Sequence, residues 1–86
     1  MSVHPDTQVR RAALVAQVRK LTQDGTAKRL RQAAHLSLAD VGAAIGTSAV
    51  NVWRWEEGLN TPRPDACVRY GAVLAELLEL DGGPDQ

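Results

Sequence analysis

The chain has 86 residues and no formal net charge, with 44% hydrophobic and 23% charged residues, which bounds it to one small domain over residues 1–86 and excludes a disordered chain. Its single cysteine excludes an intramolecular disulfide framework, and its apolar runs are too short to span a membrane. The lone cysteine makes a reducing cytoplasm the simple expectation, and the N-terminal MSVHPDTQVRR lacks the apolar stretch of a signal peptide.

With two Trp, one Tyr and no Phe, the core must be built from Leu, Val and Ala, which suits helices. The first predicted helix spans 5–23. Pro5 fits a first turn, Asp6 complements the helix dipole, and Leu14, Val18 and Leu21, with Val15 alongside, form one apolar stripe. Gly25 is a natural stop. Thr26 is placed as the cap of a second helix running to about His35, with Leu30 and Ala34 inward and Ala27 and Ala33 as small contacts.

Ser37 caps a third helix, and Asp40 completes a capping-box pattern ahead of the core positions Val41 and Ile45. After Gly46-Thr47, Ser48 caps a fourth helix running to about Glu57, with Val52 and Trp55 inward and Gly58 as its stop. Pro62 and Pro64 make 59–64 a loop. From Asp65 the chain is helical again, and Val68, Tyr70, Val73, Leu74, Leu77 and Leu78 give it a broad apolar face before Gly82-Gly83-Pro84. No segment alternates as a strand would, so the fold class is all-α, with five helices.

The neutral average hides an asymmetry. Residues 1–31 carry seven Lys and Arg against two acids, and residues 32–86 carry three against eight. The first third could attract a polyanion while the tail would repel one, or the two regions are simply solvated helix faces. The pair of short helices over 37–58, joined by a tight turn at Gly46, is a helix-turn-helix pattern, whose second helix can enter a DNA major groove.

The run Leu36-Ser37-x-x-Asp40-Val41-Gly42-x-x-Ile45-Gly46-Thr47-Ser48-x-x-x-Val52-x-Arg54-Trp55-Glu56-x-Gly58, with Leu30-Arg31 ahead of it and a proline loop behind, resembles the Cro/CI-type (XRE) helix-turn-helix family. The resemblance covers about residues 27–80 and implies a lambda-repressor-like core over 26–80, with helix 5–23 added in front. It implies an ion pair between Arg31 and Glu56, and base contacts from Ala49, Val50, Asn51, Trp53 and Arg54. Arg could read guanine O6 and N7, Asn could read adenine N6 and N7, and Ala49 and Val50 could touch thymine methyls. The family commonly has Gln where this chain has Leu38, Arg or Gln where it has Ala49, and a basic or amide residue where it has Glu57, so the face offers fewer phosphate donors than usual.

Thr47, Ser48, Asn60, Thr61 and Arg63 are candidate phosphate contacts, being at helix ends and in the loop that would flank the groove; Lys28 and Arg29 are further candidates. Trp53 has three readings: packing against the N-terminal helix or the loop, contact with a thymine methyl, or anchoring a protein partner. Arg10, Arg11, Arg19 and Lys20 either add phosphate attraction or pair with the acidic C-terminal helix of the same or another chain, the latter being favoured because Glu76, Glu79 and Asp81 otherwise lack partners. Leu74, Leu77, Leu78 and Leu80 offer more apolar surface than one helix side needs, for a dimer interface or for the N-terminal helix to cover.

No enzyme is expected. His4 and His35 sit in different elements, Cys67 lies on an apolar helix where a core role is favoured, and no metal-ligand spacing or phosphate-binding glycine loop is present. No cofactor and no metal are expected. The resemblance implies a DNA-binding transcription regulator of a phage Cro or repressor kind, acting on a double-stranded operator in a bacterial or phage-infected cytoplasm, at the nucleoid. Homodimerisation on DNA is the expected route to affinity. The alternative is a protein-interaction module on the same scaffold, antitoxin-like and bound to a protein partner.

Overall fold

A computed structural model describes residues 5–82 and has α1 (Pro5–Gln23), α2 (Thr26–Ala33), α3 (Leu38–Ile45), α4 (Ala49–Glu56) and α5 (Pro64–Gly82). Among the described residues there is no strand. His4, Gly83 and Pro84 lie outside them.

The start of α2 departs from expectation. Thr26 is already inside the helix; the N-cap is Gly25, in the left-handed region at φ 88°, and its lack of a side chain leaves the cap to a neighbour. The Asp24 carboxylate takes that part, accepting from the Thr26 amide at 2.9 Å. Hydrogen bonding with Thr26 holds the Asp24 carboxyl below the ordinary value. The end of α2 also comes earlier than expected. At His35 the backbone turns left-handed (φ 59°), the His35 amide donates to the Gln32 carbonyl and the Leu36 amide to the Arg31 carbonyl. That is a Schellman closure, and it folds Leu36 back onto the core.

The next two helix starts are set by serines. Ser37 Oγ accepts from the Asp40 amide and the Asp40 carboxylate accepts from the Ser37 amide, both at 2.9 Å, closing the capping box. The Ser37 amide holds the Asp40 carboxyl below its ordinary value. Stability from Asp24 and Asp40 is therefore present above their unfolded pKa and lost as pH falls through their lowered folded values. Ser48 Oγ caps α4 by accepting from the Asn51 amide at 3.1 Å.

Every helix contributes to one apolar core. Val15 and Val18 come from α1, Ala27 and Leu30 from α2, and Val41 and Ile45 from α3. Val52 and Trp55 come from α4, and Cys67, Tyr70, Leu74 and Leu77 from α5. Each fully buried large apolar side chain contributes about 1.5–3 kcal/mol of transfer energy. Trp55 and Tyr70 stack at a tilt, with ring centroids 5.6 Å apart. Burial raises the Tyr70 hydroxyl pKa, and the Glu56 charge raises it further. Cys67 is fully buried beside the Pro62 carbonyl, and desolvation pushes its thiol up, away from the reactive thiolate.

The inward stripe of α5 is Cys67, Tyr70, Gly71, Leu74 and Leu77, so Val68, expected inside, is 40% exposed on the flank. α1 lies over this helix: a side chain on Gly71 would come within 2.8 Å of Leu14 Cδ1. Leu14, Val18 and Leu21 line a shallow groove with Leu74 and Leu78, which accounts for much of the surplus apolar surface of α5. Leu78 and Leu80 keep 42% and 74% of their surface exposed.

Candidate nucleic-acid interface

The turn between α3 and α4 is closed by backbone hydrogen bonds at Gly42. Gly46 is left-handed at φ 88°, and the amides of Gly46 and Thr47 both donate to the Gly42 carbonyl at 2.8 Å. Gly42 is the contact point of the two helices: a Cβ there would sit 2.7 Å from the Thr47 carbonyl oxygen and 3.1 Å from the Ser48 carbonyl carbon. Those are backbone atoms and cannot swing aside. Gly42→Ala should therefore lower stability by about 1–3 kcal/mol, against a helix-propensity gain of only about 1 kcal/mol. Thermal unfolding of the two proteins checks it, and a higher melting temperature for the variant would contradict the close approach.

The inner face of α4 is fixed by Val52, Trp55 and Glu56, all buried. Arg31 donates from Nε to Glu56 Oε2 at 2.7 Å and from Nη2 to Oε1 at 3.0 Å, while Nη1 donates to the Leu36 carbonyl at 2.9 Å. The two side chains keep 12% and 1% of their surface. The Glu56 carboxylate, mainly by accepting these hydrogen bonds, raises the Arg31 pKa. This bidentate pair ties α2 to the last turn of α4, and the Leu36 bond ties it to the approach to α3. The orientation of α4 is thus set from both ends.

What remains on the other face of α4 is more open. Val50 is 53% and Trp53 44% exposed, so a large part of the Trp53 surface faces solvent. Arg54 is exposed, and Ala49 is half-buried. Asn51 is half-buried too, its Nδ2 donating to Thr47 Oγ1 at 2.9 Å, which turns the carboxamide toward the turn. One amide N–H and the carbonyl oxygen are left for another partner.

Beside α4 lies a groove of about 520 Å³. Its walls include Thr47 and Asn51 on the turn side and Asn60, Thr61 and Arg63 on the loop side. Four of the expected phosphate contacts thus share one concavity, while Ser48, the α4 cap, is not in its lining. Arg69, which the sequence reading did not single out, lines the same groove, and its Nε donates to the Ile45 carbonyl at 2.6 Å. A cation at the C-terminal end of α3 also suits that helix's dipole.

The other cations are distributed differently from expectation. Lys28 reaches Glu57 at 3.3 Å and Arg29 reaches Asp81 at 3.2 Å, so these two candidates are drawn toward acids on different elements. Arg11 pairs with Asp65 at 2.8 Å, and Arg19 donates to the Pro62 carbonyl at 3.0 and 3.1 Å. The expected pairing of α1 cations with the C-terminal helix is met by Arg11 at Asp65 in the first turn of α5, while Arg19 goes to a backbone carbonyl and no α1 cation pairs with Glu76, Glu79 or Asp81 among the described residues. α1 runs with its Arg11–Arg19 edge along the loop into α5, where Arg11 and Arg19 meet Asp65 and Pro62.

Two helices locked at a glycine contact, the second with an exposed outer face beside a cationic groove, define a helix-turn-helix protein. A family model described as a helix-turn-helix domain matches residues 25–83, and the chain belongs to that family. α1 lies outside the match. No curated protein and no solved structure matches the chain. Among the described residues no helix is long and apolar enough to cross a membrane, and no cluster of His, Cys, Asp and Glu has the arrangement to hold a metal ion.

Proposed function

We propose that this chain is a sequence-specific transcription repressor of the phage Cro or repressor kind, which lays α4 in the major groove of a double-stranded operator. The observation that carries the reading is the division of α4: Val52, Trp55 and Glu56 are buried and held, while Val50, Trp53 and Arg54 stand exposed beside a groove with arginines in its wall. In this reading Ala49, Val50, Asn51, Trp53 and Arg54 face base edges. Thr47, Ser48, Asn60, Thr61 and Arg63 face the sugar-phosphate backbone, which positions the helix without specifying sequence. Lys28 and Arg29 contribute once phosphates compete with their exposed carboxylate partners, since such pairs hold only about 0–1 kcal/mol. Repression follows from occupying an operator and excluding polymerase, and two copies on half-sites one helical turn apart supply affinity that one helix lacks.

The test is binding of purified protein to its own upstream DNA and to unrelated DNA at several salt concentrations. Tight binding to one fragment, with log K falling steeply against log salt, is the expected result. Weak and equal binding to every fragment would sink the reading. The exposed apolar set of Val50, Trp53 and Leu59 favours a second reading, a protein partner docked on the outer face of α4.

A further inference from the structure

We propose that the groove between the α3–α4 turn and the start of α5 is a seat for one phosphodiester of the DNA backbone, held jointly by Arg63 and Arg69. The inference rests on the DNA-binding reading above and gives α5, through Arg69, a direct part in it.

In a chain with no net formal charge, the place where a polyanion can settle depends on which cations are left unneutralised. Among the described residues, Arg11, Lys28, Arg29 and Arg31 each have a carboxylate partner. Arg19 is committed to the Pro62 carbonyl. Of the remaining cations, Arg63 and Arg69 line the same groove, and no Asp or Glu lines it. Its other polar walls, Thr47, Asn51, Asn60 and Thr61, are neutral groups able to donate to phosphate oxygens.

Arg69 is placed by the fold. Its Nε is engaged with the Ile45 carbonyl at 2.6 Å, which fixes the guanidinium, while Nη1 and Nη2 make no hydrogen bond to the described residues. A guanidinium anchored through one nitrogen, with the donors of the other two free, is suited to two oxygens of one phosphate. The groove is much larger than a phosphate ion needs and is open to solvent, so it suits a phosphate that remains part of a chain. It also borders the first turn of α4, so a phosphodiester seated there fixes the register of the outer face on the bases.

The test uses the full chain and a fluorescein-labelled duplex of arbitrary sequence, because the phosphate term is sequence-independent. Anisotropy at about 50 to 200 mM salt gives the slope of log K against log salt. The double variant Arg63→Gln/Arg69→Gln should have a slope shallower by about 0.9, the value of one phosphate, and so lose about threefold less affinity over that range. Arg69→Gln alone should already flatten the slope, by no more than the double variant does, and Arg69→Lys should keep the wild-type slope. A double-variant loss of about 1.8 would mean two separate phosphates and overturn the shared seat. An unchanged slope in Arg69→Gln with only a lowered melting temperature would make Arg69 merely a cap on α3, and overturn the proposal. A wild-type protein with no salt-dependent duplex binding would bring down the DNA-binding reading itself, a distinct result. Inorganic phosphate, titrated against the fluorescence of Trp55 in the groove wall, should give no saturation at millimolar concentrations. Saturation would make this a free-anion site and overturn the backbone assignment.

Discussion

Glu56→Ala should cost the protein about 3–5 kcal/mol of folding stability, the penalty for stranding one member of a buried ion pair. Arg31 keeps only 12% of its side-chain surface in that pair, so its charge cannot turn to water without breaking the bond to the Leu36 carbonyl. A domain of this length has on the order of 5–10 kcal/mol in all, and the melting temperature should fall by roughly 15 °C or more. The double variant Arg31→Met/Glu56→Leu should be milder than either single truncation. Breaking a buried pair is costly even where its net worth against apolar replacements is small. Thermal melts of wild type, Arg31→Met, Glu56→Leu and the double variant complete the cycle. A loss below about 1 kcal/mol for Glu56→Ala would place the pair with exposed surface pairs and remove its part in orienting α4.

The parts of the fold that were legible in the sequence are those decided by neighbours in the chain. The Ser37 and Ser48 caps, the Asp40 capping box and the inward positions Val41, Ile45, Val52 and Trp55 depend on spacings of three or four residues, and the structure has them. The start of α2 was harder because Asp24, Gly25 and Thr26 all suit a helix start. The choice fell to Gly25, with the Asp24 carboxylate reaching forward to the Thr26 amide. The partners of the α1 cations were legible only as far as the helix: Arg11 does meet an acid of α5, but at Asp65 in its first turn. They depend on how α1 crosses α5 at Gly71, and that crossing puts Arg11 and Arg19 over residues 62–65, with Glu76 and Glu79 left out of any ion pair among the described residues. Val68 shows the same limit: period alone admits it to the α5 stripe, but the buried stripe runs through Cys67, Tyr70, Gly71, Leu74 and Leu77 and leaves Val68 on its flank. In the candidate interface, Thr47, Asn60, Thr61 and Arg63 could be placed together because helix ends and a proline loop mark themselves. Arg69 could not, because its partner is the Ile45 carbonyl, and no residue type announces a backbone acceptor.

Arg54→Ala should weaken binding to the operator by about 10- to 100-fold, the value of a bidentate contact to guanine of about 1–3 kcal/mol, and relax discrimination at one base pair. The melting temperature should not move, because Arg54 is exposed and its side chain has no hydrogen-bonded or carboxylate partner among the described residues. The contrast with Arg63 and Arg69 separates reading from positioning: their loss should weaken all duplexes alike and flatten the salt slope, whereas loss of Arg54 should fall hardest on the matched sequence. Arg54→Lys should recover little of the discrimination, since a point charge cannot reproduce the two-pronged guanidinium. Trp53→Ala is the companion measurement. If operator binding survives Arg54→Ala while a protein partner is lost with Trp53→Ala, the outer face of α4 serves a protein and not a groove. If both variants lose the operator, Trp53 and Arg54 lie on one DNA-reading surface. With few polar groups on that surface, thymine-methyl contact by Val50 and Trp53 then adds to the readout by Arg54 and Asn51.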